Sequence, residues 1–165
     1  MGMSVTISVA TEQDAEDIFR LQYLCFQSEA QLYGNYRIEP LVETLDAVRR
    51  EVAVDCVFVA RLGDEVVGAV RGKLTEEGSA VIARLCVHPR LRGHGIGARL
   101  LRAAESALAE DRGATLFRLR TGHLSEGNLR LYRRVGYEAV GRAEGTDGVE
   151  LIVLEKPATS YATTA

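Results

Sequence analysis

Leu85-Cys86-Val87-His88-Pro89-Arg90-Leu91-Arg92-Gly93-His94-Gly95-Ile96-Gly97-Ala98-Arg99-Leu100 is the stretch that decides the fold of this chain. It starts as an apolar run, turns at His88-Pro89, passes through alternating glycines and continues at helical spacing. Ile96, Leu100, Leu101, Ala104 and Leu108 share one face while Arg99, Arg102 and Glu105 share another, which predicts an amphipathic helix over 95–110 with Gly113 as its stop. Glycines between a strand and a helix let the backbone turn and aim several N–H groups at one point. The helix N-terminus adds positive potential there, so a phosphate or pyrophosphate is the natural guest.

The charge distribution points the same way. The chain has 165 residues, 20 basic and 23 acidic, for a formal charge of −3. Between Gly78 and Ala104, however, Arg84, Arg90, Arg92, Arg99 and Arg102 stand with no acidic residue at all. A tight strand-to-helix turn without a ligand is the alternative, and the charge segregation together with the glycine pattern weighs toward phosphate. The segment lacks the Lys-Ser/Thr ending of a P-loop, and its strand closes a meander, which counts against a nucleoside triphosphate or a dinucleotide. A pI near 5.7 argues against nucleic acid or an anionic membrane as the main partner.

Outward from this stretch, residues 56–61, 66–73 and 80–87 read as three antiparallel strands separated by Gly63-Asp64 and Glu76-Glu77-Gly78. Residues 5–9 form a short strand before a helix that Thr11-Glu12-Gln13-Asp14 caps and that runs to about Gln27. Residues 28–40 show no clear period and read as a helix end plus a loop, and 41–53 as a second helix. Beyond 110, the pattern predicts a strand over 116–121, a helix over 125–135 closed by Gly136, and a strand pair over 137–141 and 149–155. The result is one α/β domain over residues 1–156, a mixed, largely antiparallel sheet with helices on both faces. Residues 157–165 read as a disordered tail. No stretch approaches the roughly 20 apolar residues of a membrane span, and the first residues lack a secretory pattern, so a cytoplasmic location is expected. Cys25, Cys56 and Cys86 are odd in number and read as buried thiols. His88, His94 and His123 have no metal-site spacing, and no metal is expected.

Leu85 to Pro89 followed by Arg92-Gly93-His94-Gly95-Ile96-Gly97 resembles the acyl-CoA-binding motif of the GNAT superfamily of N-acyltransferases, in which Gln or Arg, two residues, Gly, one residue and Gly or Ala follow in order. Asn128, Tyr132 and Gly136-Tyr137 resemble the second signature of the family, and the two motifs with the element order cover nearly all of residues 5–155. The resemblance implies acetyl-CoA as cofactor and transfer of its acetyl group directly to a primary amine in a ternary complex. It implies that backbone N–H groups from Arg92 through Gly93, His94, Gly95, Ile96 and Gly97 to Ala98 hold the pyrophosphate. It places the pantetheine arm against Leu85, Cys86 and Val87, where a backbone N–H would also stabilise an oxyanion. Tyr132 corresponds to the proton donor for departing thiolate, and Asn128 either bonds the cofactor or caps its own helix.

Many family members carry a glutamate on the strand before the glycine turn as base, whereas residues 80–87 contain no carboxylate. Glu29, His88 and His123 are the candidates for a base or for the acceptor side, with the bland alternatives of a solvated helix carboxylate, a cap of the turn and a surface-loop histidine. Tyr23, Tyr33, Tyr36, Glu29 and Glu39 could line a slot for a polar or cationic amine or could be loop packing. Residues 28–53 are left to specify the acceptor. A CoA-binding sensor without turnover, and transfer to a hydroxyl, are the rival readings. The expected partner is an amine acceptor, with the chain a monomer or homodimer.

Overall fold

The meander expected over residues 56–87 is the spine of the sheet. Cys56–Leu62 (β2), Glu65–Leu74 (β3) and Ser79–Val87 (β4) run antiparallel, and Val5–Val9 (β1) pairs antiparallel with β2. Leu116–Gly122 (β5) lies parallel to β4, followed by Glu150–Pro157 (β7) and, at the edge, Glu138–Glu144 (β6). One seven-stranded sheet results, in the order β1-β2-β3-β4-β5-β7-β6. The computed structural model describes residues 4–145 and 147–159.

Helices cover both faces, as the alternation in β2 requires. Val57 and Val59 face Ala15–Cys25 (α1) and Leu45–Val54 (α4), packing with Ile18, Leu21 and Val48. Cys56 and Ala60 face Ile96–Ser106 (α5), where Leu100, Leu101, Ala104 and Leu108 lie in the larger core with Phe117 and Leu154. The expected stripe of α5 is therefore the buried one. A π-helical turn over Ala107–Asp111 extends it before Gly113.

The acceptor-side region departs from expectation. Within the stretch expected as a helix end plus a loop, Gln27–Tyr33 forms a separate helix (α2) ended by Gly34 in the left-handed region, residues 34–38 are the loop, and Glu39–Val42 forms a single turn (α3). The helix expected over 41–53 begins only at Leu45, because Thr44 is extended and its hydroxyl accepts the Ala47 N–H at 3.1 Å, a local cap that competes with helix continuation. At the other end of the chain Pro157 pairs with Leu116 and Ala158 is buried, so order extends past the boundary drawn at 156. The remainder of the expected disordered tail, residues 160–165, lies outside the described residues. Among the described residues no helix is long and apolar enough to cross a membrane.

One irregularity positions the site. Ala69 pairs with Cys86 but Arg71 pairs with Ala83, so β4 carries one residue more than β3 across this step. Arg84 absorbs it at φ +57°, a left-handed conformation that costs a residue with a Cβ about 1–2 kcal/mol. β4 and β5 pair only from Ser79 to Val81 against Leu116 to Arg118, and beyond that the two strands part.

Candidate functional site

Two cavities open where β4 and β5 separate. The first, about 750 Å³, is lined by Leu85, Cys86 and Val87 of β4, by the turn at Arg92, Gly93 and Gly95, and by Ile96, Gly97 and Ala98 at the start of α5. Nearly every residue expected at the cofactor thus shares one cleft; His94 is the exception and does not line it. Gly93 and Gly95 sit at φ +83° and +77°, and a Cβ on either would meet nothing within 4 Å, so the turn frames open space at a helix N-terminus. No acidic residue lies in the first turn of α5. A pyrophosphate and an extended thiol arm fit this combination of open turn, positive helix end and a strand unpaired on its β5 side past Val81.

The fold disperses the arginine cluster that the sequence brings together. Arg92 lines the cleft, but Arg99 donates to the Val5 carbonyl at 2.9 Å and Arg84 points to the second cavity. Their place at the cleft is filled from the helix Glu126–Arg134 (α6), which contributes Arg130 and Arg134. Sequence reasoning missed this pair, although arginines four apart on one helix share a face. His88 caps the turn, its Nδ1 accepting the Arg90 N–H at 3.2 Å.

Cys86 is buried beside Cys25, and the hydrogen bond between the thiols and its burial push it well above the usual thiol range. Cys25 donates to the Val87 carbonyl at 3.3 Å. A thiol held protonated makes a poor nucleophile, which disfavours a covalent relay at Cys86.

The second cavity, about 290 Å³, is bounded by Tyr33, Ile38 and Glu39, by Arg84 and Leu85 of β4, by Arg120 to Gly122 of β5, and by Tyr132 of α6. Glu144, Asp147 and Val149 close it from the β6–β7 side. Phe26, Glu29, Leu85 and Asn128 line both cavities and so form the passage between them. Of the residues expected on the acceptor side, Glu29, Tyr33 and Glu39 are here, while Tyr23 and Tyr36 are exposed elsewhere. His123 lines neither cavity; its Nδ1 lies 3.2 Å from the Glu150 carbonyl and its ring centroid 6.0 Å from that of Tyr33.

Glu29 is held by a chain of hydroxyls. The Leu124 N–H donates to Tyr33 Oη at 3.0 Å, Tyr33 Oη–H donates to Ser125 Oγ at 2.7 Å, and Ser125 donates to Glu29 Oε2 at 2.7 Å. Oε1 takes no hydrogen bond from a described residue, which leaves it for a ligand. Tyr132 is 7% exposed, and burial, followed by the Glu29 charge, pushes its phenol well above the usual tyrosine value. It therefore stays protonated, as a donor must. The Asn128 amide is fixed to Thr121 Oγ1 at 3.2 Å. Beneath the cavity, Glu43 accepts from Gln22 at 2.8 Å and from both terminal nitrogens of Arg71, and against the cost of burial these bonds hold its carboxyl below the usual range.

Residues 53–139, just over half of the chain, match the acetyltransferase (GNAT) domain family. Solved structures with the same fold include the PaiA N-acetyltransferase of Thermoplasma acidophilum in complex with coenzyme A, 17% identical over 94% of this chain and 99% of that one, with a TM-score of 0.78. The ribosomal-protein-S18-alanine N-acetyltransferase of Escherichia coli is 16% identical over 94% of each chain, with a TM-score of 0.75. YncA of Salmonella typhimurium, with its cofactor acetyl-CoA, is 15% identical over 94% of each chain, also at 0.75. No curated protein matches. The family motif at the glycine turn, the parted strands behind it and the match over residues 53–139 agree, and the chain belongs to the GNAT acetyltransferase family.

Proposed function

We propose that this protein is a cytoplasmic N-acetyltransferase that passes the acetyl group of acetyl-CoA directly to a primary amine within a ternary complex. The observation that carries this reading is the shared boundary of the two cavities at Phe26, Glu29, Leu85 and Asn128, where a group held at the glycine turn and an acceptor in the second cavity would meet. Three free, buried cysteines suit a reducing compartment.

Acetyl-CoA supplies the acyl group as a thioester. Arg92 to Ala98 hold the pyrophosphate through backbone N–H groups, Arg130 and Arg134 neutralise phosphate charge, and β4 from Leu85 to Val87 pairs with the thiol arm. Glu29 Oε1 takes the proton that the amine must lose, doing from α2 what the missing β4 carboxylate does in other members. Backbone N–H groups at the β4 bulge stabilise charge on the carbonyl oxygen, and Tyr132 Oη protonates the leaving sulfur.

The test is incubation of the protein with acetyl-CoA and a panel of amino acids, peptide N-termini, lysine peptides, polyamines and aminoglycosides while free thiol is followed. Thiol release that depends on an amine supports the reading. CoA binding without release for every amine overturns it in favour of a sensor, and release with hydroxyl acceptors alone overturns it in favour of O-acylation.

A further inference from the structure

The acceptor cavity has its charges sorted by side. Its cationic side chains, Arg84 and Arg120, come from the facing edges of β4 and β5. Its anionic ones, Glu29, Glu39, Glu144 and Asp147, come from α2, α3, the end of β6 and the β6–β7 connection.

Neither arginine has a full set of hydrogen bonds from the protein around it, although Arg84 lies within ion-pair distance of Glu39 and Glu43. Arg84 Nε lies 3.7 Å from Glu43 Oε1, beyond hydrogen-bonding distance, and is buried with no hydrogen-bond partner. Its terminal nitrogen lies 3.9 Å from Glu39, whose side chain is half exposed. Glu43 is already neutralised by Arg71, which reaches it at 2.5 Å, so Arg84 is a second cation on a carboxylate that has its partner. Arg120 makes no side-chain hydrogen bond or ion pair with a described residue. The left-handed backbone at Arg84 adds a cost of its own, of the kind that persists at functional positions. Arg84 and Arg120 line the one cavity from its two strand edges, and a pair of guanidinium groups lining a small cavity suits recognition of a carboxylate. A cavity of about 290 Å³ lies at the small end of the range for small-molecule sites.

We propose that the acceptor is a free amino acid, a primary amine that carries its own carboxylate, which Arg84 and Arg120 take while Glu29 takes the amine. This assignment rests on the acyltransferase reading of the same site. The chemistry balances as before: the new N–C bond replaces the C–S bond, one amine proton goes to Glu29 and the thiolate receives one from Tyr132. The acidic wall at Glu144 and Asp147 then meets the side chain of the amino acid rather than its α-carboxylate.

The test compares leucine, glutamate and lysine, each beside its α-carboxamide and its decarboxylated amine, by thiol release from acetyl-CoA. The best amino acid is expected to exceed its carboxamide in kcat/KM by about 10- to 10²-fold, the range for hydrogen bonds to a charged group. In R84Q and in R120Q that ratio falls toward unity, mainly through KM. CoA affinity measured by calorimetry reports whether R84Q is folded, and R120Q, at an exposed position, decides the matter if it is not. A carboxamide or decarboxylated amine that reacts as fast as its amino acid, or a ratio unchanged in R120Q, overturns the amino-acid assignment and leaves transfer to amines standing. CoA binding with no thiol release from any amine overturns the acyltransferase reading itself.

Discussion

The Tyr33 hydroxyl lies 2.7 Å from Ser125 Oγ although 92 positions separate them in the chain, and the same serine hydroxyl bonds Glu29. α2 and the segment after β5 are thereby tied across the passage between the cavities, and a carboxylate near the exposed end of a short helix becomes a fixed group. If Glu29 is the base, E29Q is expected to lower kcat/KM by about 10²-fold with CoA affinity unchanged, and E29D by less. S125A and Y33F, which loosen it without removing it, are expected to lower kcat/KM by about 10-fold. Steady-state kinetics beside calorimetric CoA titration checks all four.

Gly122 is the place where Tyr33 crosses β5. A Cβ at this position would overlap the phenol ring and hydroxyl of Tyr33, so the glycine is required by close approach rather than by its backbone angles. G122A is expected to displace Tyr33, destabilise the fold by about 1–3 kcal/mol and lower turnover as Y33F does, while leaving the distant glycine turn competent for CoA. Thermal unfolding and CoA titration of the variant check this.

Tyr132 is buried against Tyr137, with ring centroids 6.1 Å apart, and an apolar ring can keep that packing. Y132F is therefore expected to retain its fold and its CoA affinity and to lose 10- to 10³-fold in kcat, a range that reaches from the general-acid effect to just below it. Unchanged turnover would remove the role assigned to Tyr132.

At Gly95 the demand is conformational. With φ +77° at the cap of α5 and empty space where a side chain would go, G95V strains the turn and fills the open space where the proposed pyrophosphate would sit. CoA affinity is expected to drop by at least about 10²-fold, the loss of one charge-assisted hydrogen bond or more. A folded variant that binds CoA normally would refute the placement of the pyrophosphate.

Asp55, after α4, is raised to about 6 by burial and by the carboxylate of Glu51 bonded to it. The folded state holds this proton to higher pH than the unfolded chain, whose value is near 3.8, so stability falls as pH rises from about 4 to 6 and stays lowered above. D55N removes that slope and is expected to raise stability at pH 7 by roughly 1 kcal/mol, once solvent screening at this partly exposed site is allowed for. Urea unfolding of both proteins at pH 4 and pH 7 measures the difference.

The strands and the long helix were legible because each follows a local rule. β-branched runs between turn formers mark β2, β3 and β4, and the stripe of Ile96, Leu100, Leu101, Ala104 and Leu108 marks α5. The glycine turn was legible for the same reason, since its positive φ angles leave a residue-type signature. α2 and the break at Thr44 were not, because both depend on packing over the acceptor cavity and on caps shorter than a helical period. His123 drew attention by residue type, yet its ring turns to Glu150 and Tyr33.

By itself the sequence determined the meander, the strand-turn-helix unit with its glycine turn, and the family to which these belong, since each is encoded in neighbouring residues. Only the tertiary structure decided which residues share the acceptor cavity. β4 parts from β5 beyond Val81, the bulge against β3 falls at Arg84, and the parted strands bring Glu29, Arg84, Arg120 and Tyr132 around one space. Contacts between positions so far apart in the chain leave no pattern along it, because they are fixed by how the sheet twists open and not by local preference.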